Sequence, residues 1–202
     1  TRYDRVTGEK LLTLTITAGE ASASFSVLVT LPQGDAPEGG FPYFIEYMPH
    51  HYQSWFTKEW VTEVSPNCRH AASRGYAGIN YDCSAVAQDN KSFTGAFYTL
   101  YPYQLLKPET RNGTLLAWAW GVSKIIDAME QGAGAELGIN PALSLVGGVS
   151  RYGKSVAVAG AYDERIKVVI PSCSGAGGIA TYRTNNSGKT YDLTSLGGPE
   201  AW

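Results

Sequence analysis

The chain has 202 residues, with 16 Lys and Arg against 18 Asp and Glu and a formal net charge of −2. That length suits one domain with a packed core, and a mixed charge of this size argues against a basic surface for nucleic acid or acidic membranes. No run approaches the roughly 18 apolar residues that a membrane span requires, and the opening Thr1-Arg2-Tyr3-Asp4 is not a signal peptide, which suggests a trimmed or mature form.

Leu11 to Thr17 and Ser24 to Thr30 each alternate apolar with polar residues, with Ala18 to Ala21 between them, so an antiparallel hairpin is expected to start the sheet. Leu31 to Gly40 is a Pro/Gly loop. Pro42 to Met48 reads as the next strand and runs into Pro49, His50, His51 and Tyr52. Adjacent histidines point apart on an extended chain and no third ligand is near, so no metal is expected there. His50 and His51 are instead expected to line an active-site loop, with backbone donors and a His edge facing substrate. Lys58 to Arg74 is a helix candidate with a break at Pro66. Gly75 to Tyr81 is a buried strand. Residues 82–111 form a connection long enough to be functional or lid-like. Asn112 is the expected cap of a helix whose Leu115, Trp118, Val122, Ile125 and Met129 repeat at helical spacing. Strands separated by helices from residue 42 onward predict an α/β chain with a mainly parallel, doubly wound sheet. Cys68, Cys83 and Cys173 show no metal or CxxC spacing and read as buried thiols, at least one of them unpaired.

The densest signal is Ala142 to Gly178. A short apolar run, Leu143 to Val146, is followed by Gly147, Gly148 and Ser150. A helical segment, Lys154 to Tyr162, and a second apolar run, Ile166 to Ile170, complete a βαβ unit with one hydroxyl at its turn. Such a turn is where α/β-hydrolases carry their nucleophile, although the G-x-S-x-G pattern is broken because Tyr152 stands where the second Gly belongs. Gly148 to Ser155 is also a literal G-x-x-x-x-G-K-S, the phosphate-binding P-loop string. A P-loop needs a nearby acidic strand end for Mg²⁺. The strand after this loop ends in Pro171 and Ser172, and the strand ending in Asp82 precedes it. Context favours the serine reading, and the nucleotide-binding reading stays open.

Gly148-Val-Ser-Arg-Tyr-Gly-Lys154, Asp163-Glu-Arg-Ile166 and Ile170-Pro-Ser-Cys-Ser-Gly-Ala-Gly-Gly178 resemble a block of the glucuronoyl esterases, carbohydrate esterase family 15. Leu116 to Asp127 (LAWAWGVSKIID) resembles a helix of that family. Asn80 to Asp82 with Phe93 to Tyr98 resembles its loop after the fourth strand, and the likeness runs from about Phe41 to Arg183. The resemblance implies an α/β-hydrolase fold and a serine esterase without cofactor. It implies cleavage of the ester joining glucuronic or 4-O-methylglucuronic acid of glucuronoxylan to lignin alcohols, in a secreted or periplasmic setting. Ser150 would be the nucleophile, Arg151 would stabilise the oxyanion, Lys154 would bond a glucuronate hydroxyl, and Glu200 would match a later sugar-binding Glu. Val149 and Thr181 stand where fungal members carry cysteines, which implies a bacterial-type enzyme.

Two members of the triad are not apparent. The family's Glu falls on Cys173, so the acid comes from a later strand end or the triad is degraded, and a non-catalytic sugar-binding homologue stays open. The base follows the nucleophile in this fold, whereas His50, His51 and His70 all precede Ser150. Residues 1–202 are therefore expected to be one α/β-hydrolase domain incomplete at its C-terminus, found with the remainder as a second chain or a continuation. A sheet ending at its sixth strand is expected to leave an apolar edge uncovered.

Overall fold

Alternation builds the first hairpin. Glu9–Ala18 (β1) pairs antiparallel with Ala21–Thr30 (β2), and the hydroxyls of Thr13 and Thr15 meet those of Ser26 and Ser24 across the exposed face at 2.8 and 2.9 Å. The computed structural model describes residues 9–49, 51–53, 57–175 and 177–179. Four further strands extend the hairpin into a six-stranded sheet: Phe41–Tyr47 (β3), Ala77–Tyr81 (β6), Ile139–Val149 (β7) and Ile166–Ser172 (β8), in the order β1-β2-β6-β3-β7-β8. β6, β3, β7 and β8 run parallel, so their carboxyl ends, Tyr47, Tyr81, Val149 and Ser172, lie along one rim. A separate ribbon joins His51–Gln53 (β4) to Trp60–Thr62 (β5).

The two faces of the central strands are packed differently, as alternation requires. Tyr43, Ile45 and Tyr47 of β3, with Ala77, Ile79 and Tyr81 of β6, face the larger core. There they meet Thr114–Ala128 (α3), Arg151–Tyr162 (α5) and the short Ala96–Leu100 (α2). Trp118 is fully buried, as the helical spacing predicts. Its indole donates to Ala87 O at 2.7 Å, and its own carbonyl accepts from Tyr81 Oη at 3.0 Å. Helix α3 passes at Met129–Ala133 into a π-helical turn that holds Gly132 at φ 125°, and a single α-helical turn, Gly134–Leu137 (α4), leads into β7.

Pro66–Ser73 (α1) covers part of the other face, where Leu28, Val64 and Cys68 form a small second core beside Phe44. It sits so close to β6 that a Cβ on Gly78 would lie 2.7 Å from Cys68 Cβ. The helix predicted over 58–74 thus starts at Pro66 instead of breaking there, and residues 60–62 are strand. Proline fits the first helical position because its missing N–H would be orphaned anyway. Ser65 caps that end, its Oγ accepting from Cys68 N at 2.9 Å. Buried Glu46 then accepts from Ser65 Oγ and from Asn67 Nδ2, placing a carboxylate at the positive end of the helix dipole. Burial, with that carboxylate beside it, pushes the Cys68 thiol up to about 12.

One further expectation is corrected. Gly113, not Asn112, occupies the cap position of α3, and the Asn112 carbonyl accepts from Tyr98 Oη at 2.9 Å. The 82–111 connection, expected to be functional or lid-like, is built from short ordered elements. It carries single 3₁₀ turns at Cys83–Ala85 and Pro108–Thr110, with α2 between them, and Phe93 stacks on Tyr103 at 3.8 Å. Among the thiols, Cys68 and Cys83 are buried as expected, whereas Cys173 is exposed.

At the far side of the sheet an Arg165 hub ties α3 to the turn between α5 and β8. Its guanidinium reaches both oxygens of Asp163 at 2.9 and 2.7 Å, Asp127 at 2.8 Å and Glu130 at 2.7 Å. Hydrogen bonding to Arg165 holds the buried Asp163 carboxyl down at about 2. A depressed folded-state value stabilises the fold above the unfolded value near pH 4 and is lost as pH falls towards 2; the ionised group contributes about 2 kcal/mol. Asp163→Asn is therefore expected to lower stability at pH 7 by about that amount and to flatten its fall between about pH 4 and 2. Urea unfolding of both proteins across that range checks this, and an unchanged acid slope in the variant would contradict it.

Candidate active site

The carboxyl ends of β3 and β7 are neighbours, and the chain leaves them towards opposite faces: β3 leads to α1, β7 to α5. Parallel sheets bind ligands at such a switch point. Ser150 stands there as the single residue between β7 and α5.

Its backbone is strained, with φ 59° and ψ −124°, a region that L-residues rarely occupy. Two contacts hold it there. The Ser150 amide donates to Ser172 O at 2.9 Å, pinning the turn to the end of β8. Gly153 lets α5 press down on the same place: a Cβ there would lie 2.8 Å from Ser172 O and 3.1 Å from Gly148 O. This explains the displaced glycine of the motif. The close approach of helix and strands falls on Gly153, one residue later than G-x-S-x-G puts it. Tyr152 turns inward instead, against Trp118 and Tyr47 at ring separations of 5.4 and 6.1 Å, and burial pushes its hydroxyl up to about 12.

Ser150 itself is exposed and makes no side-chain cap bond to the helix it precedes. The first intrahelical bond runs from Lys154 N to Ser150 O at 3.2 Å, so the amides of the first turn of α5 lie ahead of the helix's own hydrogen-bond ladder. An exposed hydroxyl beside those donors and the positive dipole end matches what acyl transfer requires: an attacking oxygen next to N–H groups aimed at a developing oxyanion.

The flanking cations are both engaged. The Arg151 guanidinium pairs with Asp89 of the 82–111 connection, a contact spanning 62 residues, and its side chain stays about half exposed. Lys154 is buried, its Nζ donating to Ser174 O at 2.6 Å, and burial lowers its affinity for the proton. Asp89 is the residue that sequence reasoning missed; nothing in its local pattern marks it. At Cys173, where the resemblance places an acid, the exposed thiol sits at φ 48°.

The P-loop alternative fails on this geometry. Residues 151–155 are helix, not a phosphate cradle. The Ser155 hydroxyl, which would hold Mg²⁺, is fully buried between Tyr47 Oη (3.0 Å) and Leu115 O (2.9 Å). His51 opens β4, but its side chain, all of His50 and all of Glu200 lie outside the described residues. His70 lies on α1, lining a cavity of about 450 Å³ with Glu46, Asn67 and Arg74; Ser150 is not among its lining residues. Among the described residues, no three His, Cys, Asp or Glu side chains group as metal ligands would, and no helix is long and apolar enough to cross a membrane.

Comparison with known proteins adds a family. Residues 14–196 match the family model described as "Glucuronyl esterase, fungi". A multidomain esterase of Ruminococcus flavefaciens is 44% identical over 187 residues, covering 90% of this chain and 22% of its own length. A 4-O-methyl-glucuronoyl methylesterase of Cerrena unicolor is 33% identical, covering 94% of this chain and 37% of its own. The solved carbohydrate esterase family 15 glucuronoyl esterase of Caldicellulosiruptor kristjansonii superposes with a TM-score of 0.75 at 41% identity, over 92% of this chain and 49% of that one. The chain thus spans about half the length of that solved relative and less than two fifths of the two curated ones.

The strain at Ser150 makes a prediction that chemistry alone does not. Ser150→Gly relieves an unfavourable backbone and is expected to raise stability by about 1 kcal/mol while removing the hydroxyl. Denaturant midpoints of the two proteins test it; a destabilised Ser150→Gly variant would show that the turn is not strained.

Proposed function

Because the chain belongs to the glucuronoyl esterase family, carbohydrate esterase family 15, we propose that it carries the nucleophile of an esterase acting on glucuronic acid esters. The observation that carries this is Ser150: exposed, alone between β7 and α5, and held in a strained turn against Ser172. Ser150 Oγ attacks the ester carbonyl, the oxyanion forms beside the Arg151 amide and guanidinium, the alcohol leaves, and water releases the uronate from the acyl-enzyme. The relatives are named for 4-O-methyl-glucuronoyl methyl ester hydrolysis, and one solved relative holds methyl 4-O-methyl-β-D-glucopyranuronate. We extend that substrate class to the ester between 4-O-methylglucuronic acid of glucuronoxylan and lignin alcohols. A polymer of that size is met outside the cell, so we place the protein in a secreted or periplasmic setting.

A serine hydroxyl needs a base, and the base an orienting acid. With Cys173 at the family's acid position and every histidine of the 202 residues ahead of Ser150, we place both partners in the part of the relatives' fold that this chain does not span. The outer strand supports that reading: Val168, Val169 and Ile170 of β8 are 44, 39 and 42% exposed, an apolar surface of the kind that proteins keep covered. Sugar contacts are assigned to Lys154, Glu200, His50 and His51.

In the full-length protein, Ser150→Ala is expected to reduce turnover of benzyl or methyl glucuronate by on the order of 10³-fold or more. Near-wild-type turnover would remove Ser150 as nucleophile. Lys154→Ala separates recognition from anchoring. A charged hydrogen bond to a sugar hydroxyl is worth ~1.5–3 kcal/mol, so KM for glucuronate esters should rise while 4-nitrophenyl acetate hydrolysis is spared. Equal losses on both substrates would mean that Lys154 only fastens α5 to Ser174.

A further inference from the structure

The Arg151–Asp89 pair joins the turn that carries Ser150 to the 83–94 segment. Arginine side chains are long and lose considerable rotamer freedom when fixed. A guanidinium that must meet a developing oxyanion therefore works best if something else has already aimed it. The segment presenting Asp89 is built to do that. Val86 and Ala87 are fully buried, and Ala87 O accepts the indole N–H of Trp118 at 2.7 Å. Phe97 N donates to Val86 O at 3.0 Å, and Gln88 N to Thr94 O at 3.0 Å, closing a small loop around Asp89. Inside that loop Asn90 N bonds Gln88 O and Ser92 N bonds Asn90 Oδ1, both at 2.8 Å. Gly95 (φ 118) allows the closure, since a Cβ there would lie 2.5 Å from Val86 O. The carboxylate is thus mounted on a bracket whose root is the buried Trp118, a residue that also packs against Tyr152 in the first turn of α5.

We propose that Asp89 is a positioning residue for the esterase reaction: it holds the Arg151 guanidinium in the orientation that meets the oxyanion on the ester carbonyl. The inference rests on the reading of Ser150 as nucleophile and deepens it. It assigns the 83–94 bracket to transition-state stabilisation, not to lid motion or substrate binding. The loss on removing Asp89 should then fall on kcat, with KM for the uronate ester little changed, because the oxyanion exists only in the transition state.

The test is a double-mutant cycle in the full-length protein on benzyl glucuronate, with thermal midpoints recorded for every variant. Asp89→Ala is expected to lower kcat by about 10-fold with KM within about 2-fold, and Asp89→Glu, which keeps the charge, to recover part of that loss. In an Arg151→Ala background, Asp89→Ala should cost less than about 2-fold further, because its only route to the reaction is gone. Losses that multiply in the double variant would overturn the proposal, as would a loss confined to KM. A rise in kcat for Asp89→Ala would also overturn it, since the pair would then be holding Arg151 away from the carbonyl. These outcomes are separate from failure of the esterase reading, which would show as wild-type turnover that survives Ser150→Ala.

Discussion

One hydrogen bond, from the Ser150 amide to the Ser172 carbonyl, couples the ends of β7 and β8 where the chain turns into α5. Everything else at the site follows from making that bond within a single-residue turn. Ser150 must take a positive φ, α5 must start at once, and its first turn must lie against both strand ends. Only a residue without a Cβ fits at 153, because Ser172 O already fills that space. The strain is of order 1–3 kcal/mol, and the packed sheet below it is what keeps the turn from relaxing.

That support includes buried hydrogen bonds. Tyr47 Oη and Leu115 O both bond the Ser155 hydroxyl, joining β3, α5 and α3 one turn below Ser150. Trp118 then links α3 to the 82–111 connection through Ala87 O. Buried hydrogen bonds of this kind add little net stability, but they specify one arrangement, since leaving any partner unpaired costs more than the bond contributes. The consequence is a rigid floor under an exposed hydroxyl, a stiffness suited to preorganised electrostatics.

How much of this was legible depended on whether the deciding contact was local. The βαβ unit around Ser150 could be read because an apolar run, two glycines and a helical repeat are all sequence neighbours. The first hairpin could be read from its alternation for the same reason. A proline inside a helix candidate reads as a break, although Ser65-Pro66 is itself a cap-and-first-turn signature. The string Gly148 to Ser155 satisfies two motifs at once. Only the helix phase and the burial of Ser155 between Tyr47 and Leu115 separate them, and both depend on residues 40 and 108 positions away. Asp89 was invisible for that reason too: its partner lies 62 residues on. The resemblance pointed to Ser150, Arg151 and Lys154 as candidates. It did not foresee that both cations would already be bound, one to Asp89 and one to Ser174 O.

The central claim is that the hydroxyl at this turn is a nucleophile and not a structural cap. The most direct measurement is covalent trapping of the full-length protein with a fluorophosphonate, followed by peptide mass spectrometry. A single stoichiometric adduct on Ser150, and none in the Ser150→Ala protein, is the expected result. An adduct on another serine, or glucuronate ester hydrolysis that persists while Ser150 stays unmodified, would contradict it.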